Sequence, residues 1–210
     1  MDKQTLYDAI VNGNAKAAKA ATQQALDEGM DPKTLLDGTM IPAMDEVGKR
    51  FERNEYFVPE LLIAARAMKS SLELLKPLLA AKGAEPVGKV AIGTVKGDLH
   101  DIGKNLVAAM LEGGGFEVID LGVDVTPEKF IGAVKERGAQ VVALSALLTT
   151  TMSNMKGTID ALKDAGVRDQ VKVIVGGAPV TQRFADEIGA DGFSDNASGA
   201  VQMARKLVGA

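Results

Sequence analysis

The chain has 210 residues, 24 basic against 28 acidic, with a net charge of −4 at pH 7 and a pI near 5.2, a balance that argues against nucleic-acid binding because such domains carry a basic excess. It has no cysteine, which removes disulfides, thiolate zinc sites and iron–sulfur clusters together. No run reaches roughly eighteen apolar residues, and Met1-Asp2-Lys3-Gln4 lacks the parts of a signal peptide, so a cytoplasmic protein without a membrane segment is expected.

Residues 1–83 are rich in Ala, Leu, Met, Lys and Glu and show no strand alternation. Breaks at Asn12-Gly13-Asn14, Gly29-Met30-Asp31-Pro32 and Asn54 predict helices over 3–11, 14–28, 32–52 and 55–82. Asp31 before Pro32 reads as an N-cap with proline in the first turn. Pro42 predicts a kink and Pro59 a nearby helix start. Four helices on short connections imply an antiparallel four-helix bundle. Residues 84–88 lose the periodicity and form the expected linker.

From Lys89 to Ala210 short apolar runs alternate with amphipathic stretches. Strands are predicted at 89–94, 116–120, 140–145, 171–175 and 190–193, and helices at 103–113, 127–137, 152–165, 181–188 and 197–208. Five βα units make a parallel, doubly wound α/β sheet, for which the flavodoxin-like order 2-1-3-4-5 is expected. The chain shows no internal repeat and no low-complexity tract.

Ligands of such sheets bind at the carboxyl edge, so the loops after strands 1, 3 and 4 hold the candidate residues. The first, Gly97-Asp98-Leu99-His100-Asp101-Ile102-Gly103, carries the only histidine of the chain. An imidazole with a carboxylate two positions earlier can act as a metal ligand held in one tautomer by that carboxylate. The second, Ser145 to Ser153, includes Leu147, Thr149 and Thr151, and the third is Gly176-Gly177-Ala178-Pro179. Glycines and hydroxyls there suit a deep groove for a long polar ligand. A phosphate-binding Walker loop fails on spacing and on Asn105 after Lys104, and no Gly-x-Gly-x-x-Gly opens the first helix.

The three loops resemble the signature of cobalamin-binding domains, Asp-x-His-x-x-Gly, Ser-x-Leu and Gly-Gly, here Asp98, His100 and Gly103; Ser145 and Leu147; Gly176 and Gly177. The intervals also match that family, with 41 residues between Gly103 and Ser145 and 28 between Leu147 and Gly176. Val47 to Leu61 is similar to the helical cap that precedes the cobalamin domain in methionine synthase and in small corrinoid proteins of methyltransferase systems. The ending from Gly176 to Gly192 is similar to free-standing corrinoid proteins that take methyl groups from methylamines, methanol or methoxylated aromatics.

This resemblance implies that cobalamin or a related corrinoid is the cofactor and that His100 replaces the cofactor's own base as lower ligand to cobalt. The displaced nucleotide tail enters a groove lined by Ser145, Leu147, Thr149, Gly176 and Gly177, with Gly97, Asp101, Ile102 and Ala178 beside it. Asp98 accepts the other imidazole N–H, and Thr151 stands where methionine synthase has the serine of a ligand triad. Phe51 and Val58 cover the methyl-bearing face, Val58 replacing a frequent leucine. The implied role is a methyl carrier whose cobalt alternates between its +1 state and a methylated +3 state. Its implied partners are a substrate-specific corrinoid methyltransferase, a second methyltransferase acting on tetrahydrofolate or a thiol, and a reductive activase. No catalytic base, nucleophile or folate domain is apparent, so the protein alone is not expected to turn over.

Plainer readings stand beside these. Asp101 can serve only as a helix cap, Phe57 and the methionines at 40, 44, 68 and 110 read as core, and Lys49, Arg50 and Arg53 as a solvated face. Two other functions are open: the cobalamin subunit of a carbon-skeleton mutase, which lacks the cap, and a cobalamin photosensor, which adds a DNA-binding module.

Overall fold

A computed structural model describes residues 3–210. The chain forms two compact units, one running to Pro86 together with Ala109–Gly115, the other comprising Val87–Ala108 and Phe116–Ala210.

The first unit holds α1 (Lys3–Val11), α2 (Ala15–Asp27), α3 (Pro32–Leu35), α4 (Ile41–Glu52) and α5 (Val58–Ala81). Alanines 18, 21 and 25 are the buried face of α2, and their small side chains let it lie closely along α5. Asn14 and Asp31 cap α2 and α3 by accepting the amides of Ala17 and Thr34, and the Asp31 cap is the one read from the sequence. The single helix predicted over 32–52 is interrupted by a π-turn at Leu36–Met40, where the Ile41 amide reaches back to the Leu36 carbonyl. Pro42 follows at once, and a widened turn accommodates a residue that lacks the amide for a regular bond. Met40, Met44 and Met68 are buried as expected, as is Met110 of the short returning segment. Phe57 is not core: it stands at the start of α5, 59% exposed, while its amide is taken up by the Glu60 carboxylate. Arg50 and Arg53 are partly exposed and pair with Glu46, while Arg50 also donates to the Tyr56 hydroxyl.

The second unit is a five-stranded parallel sheet in the order β2-β1-β3-β4-β5, as the sequence led us to expect. Its strands are β1 (Lys89–Thr94), β2 (Glu117–Asp120), β3 (Val141–Ser145), β4 (Lys172–Gly176) and β5 (Gly192–Phe193). The helices are α6 (Ile102–Gly113), whose residues from Ala109 on count with the first unit, α7 (Pro127–Arg137), α8 (Ser153–Asp164), α9 (Gln182–Ile188) and α10 (Ala197–Val208). Strands buried on both faces read as continuous apolar runs, and Val142, Val173, Phe130, Met155, Ile159 and Leu162 fill the core. Phe130 lies against Gly93, where a Cβ would sit 2.9 Å from the ring. Register places Thr94, Ser145 and Gly176 in one row at the carboxyl edge, so the three loops after them start side by side.

Candidate cofactor-binding site

The site begins with a buried carboxylate. Asp98 is fully buried, and a lone ion there would be costly unless every lone pair found a donor. One oxygen accepts the His100 amide at 3.1 Å and His100 Nδ1 at 2.7 Å; the other accepts the amides of Leu147 at 2.9 Å and Leu148 at 3.3 Å. The Thr151 hydroxyl donates to that second oxygen at 2.7 Å. Burial by itself pushes the Asp98 carboxyl up, but bonds from Thr151, His100 and the Leu147 amide outweigh it and hold the group well below the ordinary carboxylate range.

An ionised carboxylate only accepts, so Nδ1 of His100 carries a proton, and in the neutral ring the lone pair then sits on Nε2. The ring is about half exposed, at 48%, and Nε2 has no hydrogen-bond partner among the described residues. The buried Thr94 hydroxyl fixes the backbone beneath it by donating to the His100 carbonyl at 2.8 Å. The two loops that meet at Asp98 expose apolar side chains: Leu99 at 72%, Ile102 at 81%, Leu147 at 44% and Leu148 at 41%. An imidazole nitrogen on loops that expose apolar side chains suits a flat, apolar-faced metal complex better than a hydrated ion.

The remaining predicted residues of the α/β unit occupy the same edge. Ser145 ends β3 half-buried and Thr149 is exposed. Gly176 ends β4, and Gly177 follows with φ +128°, where a Cβ would lie 1.9 Å from the Ala146 carbonyl oxygen. Only glycine permits that close approach. Ala178 is exposed beyond it. Gly103, exposed in the first turn of α6, has nothing within 4 Å of where a Cβ would be, so its backbone is open to a ligand. Asp101 precedes α6; its carbonyl accepts the Asn105 amide and its carboxylate the Asn105 side chain. Phe51, half-buried in α4, and Val58, 40% exposed at the start of α5, belong to the helical unit.

Three supports escaped the reading of the sequence: Thr94, Asp124 and Asn154. Each holds the backbone of the His100 loop or the turn before it, Asp124 and Asn154 through Gly97 and Lys96. None belongs to a recurrent motif, and only the conjunction of loops reveals them.

Among the described residues no three His, Asp or Glu side chains converge to cage a bare metal ion. One imidazole nitrogen suffices when the metal arrives with its other ligands already in a macrocycle. Comparison with known proteins points to such a macrocycle. The B12 binding domain matches residues 88–202, and a second family of the same description matches residues 3–76. The chain is 42% identical to a corrinoid protein of Desulfitobacterium hafniense over 97% of its own length and 96% of that protein's. It is 46% identical to a trimethylamine corrinoid protein of Methanosarcina barkeri, covering 92% and 90% of the two chains. Among solved structures it resembles a cobalamin-binding protein of Desulfitobacterium hafniense, with TM-score 0.82, 35% identity and coverage of 99% and 98%. It also resembles a chain of the methanol:cobalamin methyltransferase complex of Methanosarcina barkeri, with TM-score 0.87, 30% identity and coverage of 99% of this chain and 79% of that one. The chain therefore belongs to the B12-binding family, and its cofactor is cobalamin or a related corrinoid.

Proposed function

We propose that this protein is a methyl carrier: it takes a methyl group from a substrate-specific methyltransferase onto its corrinoid and passes it to a second methyltransferase. The observation that carries the reading is the 2.7 Å contact between Asp98 and His100 Nδ1, which leaves Nε2 as the free donor for the lower face of the cofactor. Relatives named for trimethylamine and dimethylamine, and a structural relative named for methanol, support a small N- or O-methyl compound as donor, with methoxylated aromatics the further class that the sequence resemblance offers. Tetrahydrofolate or a thiol is the proposed acceptor, with a reductive activase as an auxiliary partner.

When bound, the cobalt supplies a nucleophilic reduced state that accepts a methyl group and an oxidised state that favours an axial nitrogen. The chain's part would be to present Nε2 of His100 to the metal and to keep the ring oriented through Asp98. Asp98 would hold the Nδ1 proton, and the Thr151 hydroxyl, donating to its other carboxylate oxygen, would help to carry any change of charge on the ring. Leu99, Ile102, Leu147 and Leu148 give the macrocycle an apolar bed. Ser145, Thr149, Gly176, Gly177 and Ala178 line the groove proposed for the nucleotide tail, which Gly97, Asp101 and Gly103 approach from the first loop. Phe51 and Val58 are assigned to shield the upper face until a partner arrives. No residue of this set is a catalytic acid, base or nucleophile toward the methyl donor, so turnover requires both partner enzymes.

The test is His100→Ala. The loaded wild-type protein is expected to show the absorption spectrum of an imidazole-ligated corrinoid and the variant that of a corrinoid without a nitrogen below the metal. Identical spectra would exclude His100 as lower ligand.

A further inference from the structure

The loop that carries Asp98 is entered through a tight turn. The Val95 carbonyl accepts the Asp98 amide at 3.1 Å, and Gly97, third in the turn, has φ +81°, the left-handed position that a type II turn requires. The central peptide of such a turn, here the Lys96 carbonyl and the Gly97 amide, has no partner inside the turn. Rotating it by half a revolution converts type II into type I, and glycine accepts either hand at little cost. Left alone, this peptide would be the loosest joint beneath the candidate ligand.

Both of its poles are gripped from outside. Asn154 Nδ2, at the start of α8, donates to the Lys96 carbonyl at 2.7 Å. Asp124, in the loop after β2, accepts the Gly97 amide on its carboxylate at 2.7 Å and donates its own amide to the Asp98 carbonyl at 3.0 Å. Asp124 reaches this position in a left-handed conformation, φ +50°, which non-glycine residues seldom adopt and which aspartate tolerates better than most. A backbone held in a sparsely populated region by several bonds marks a place where geometry is being enforced. Asn154 also lies three residues after Thr151, so one segment holds both the turn and the Asp98 carboxylate.

We infer that Asp124 and Asn154 are positioning residues that lock the Lys96–Gly97 peptide in one orientation and so keep Asp98 and the His100 ring aligned for axial ligation. This rests on His100 as the lower ligand. If the peptide flips, the Asp98 backbone shifts and the carboxylate must leave Leu147, Thr151 or the imidazole. The ring then loses the bond that aims Nε2.

The proteins to compare are wild type, Asp124→Gly, Asp124→Asn, Asn154→Ala and His100→Ala, each loaded with cyanocobalamin and titrated with cyanide. Cyanide displaces the lower nitrogen, so the concentration at half-conversion, read by absorption, measures the strength of the imidazole bond. Glycine removes the carboxylate without strain at φ +50°, whereas asparagine keeps an acceptor and tolerates the conformation. Asp124→Gly and Asn154→Ala are expected to convert at about five- to tenfold lower cyanide, as loss of one hydrogen bond implies, and Asp124→Asn within about twofold of wild type. Wild-type titration of both Asp124→Gly and Asn154→Ala, with only a lowered melting temperature, would overturn the inference and leave the pair a structural brace. If instead His100→Ala titrates like wild type, the ligand assignment itself falls and takes this inference with it.

Discussion

In the α/β unit the buried carboxylate of Asp98 collects donors from His100, Leu147, Leu148 and Thr151, whereas in the helical unit the buried hydroxyls of Thr39 and Ser71 have no partner among the described residues. The α/β unit is thus over-determined by directional bonds around a single side chain. The interior of the helical unit is packed largely by alanine and methionine side chains, whose contacts have no preferred direction, and the unit contains a π-turn. Directional bonding suits an imidazole that must point one way; non-directional packing tolerates rearrangement.

The sharpest way to break this contrast is at the tightest point of the sheet edge. Gly177→Ala puts a Cβ on the Ala146 carbonyl and demands φ +128° of an alanine. Urea unfolding of the apoprotein is expected to show a loss of more than about 3 kcal/mol. A loss below about 1 kcal/mol would mean that the loops after β3 and β4 are not held as closely as described.

Next comes one substitution made in both units. Thr151→Val removes a donor from a buried carboxylate and is expected to cost about 1–2 kcal/mol, while Thr39→Val removes an unpaired hydroxyl and is expected to stabilise by up to about 1 kcal/mol. Equal signs in urea unfolding would erase the distinction between the units.

The smallest effect separates the two units by pH. Lys82 and the Thr34 amide hold the Asp31 carboxyl at about 2, below its usual 3.8; Asp98 is held lower still against the upward push of burial, by Thr151 and His100. Both carboxyls are depressed on folding, so each adds stability above its ordinary range, and that contribution fades as the pH falls through the folded value. Asp31 is exposed, so its share is minor. In amide spectra of the apoprotein, the Thr34 signal is expected to titrate near pH 2 while that of Leu147 stays fixed until still lower pH. Parallel titration would contradict the stronger hold on Asp98.

Much of this molecule was legible in the chain. Short apolar runs between amphipathic stretches specified five strands, the doubly wound class they imply supplied the order, Asp31-Pro32 specified a cap, and Asp98-x-His100 specified an imidazole with a carboxylate behind it. What escaped depended on tertiary placement. Asp124 sits in a plain run, Val123-Asp124-Val125, and its role comes from a backbone conformation and a neighbouring loop 27 residues earlier. The π-turn before Pro42 preserves the apolar spacing on either side, so periodicity reads one helix across it. Phe57 looks like core by residue type, but its place at a helix start turns it outward.

The central claim is a bond from the single histidine to cobalt, and the fact that this histidine is the only one makes it directly testable. Protein grown on ¹⁵N-histidine, loaded with unlabelled cobalamin and reduced by one electron, should be measured by electron paramagnetic resonance, where the axial nitrogen splits the cobalt lines. The account predicts that labelling changes each triplet to a doublet. Triplets that persist after labelling would show that the cofactor keeps its own base, and would contradict it.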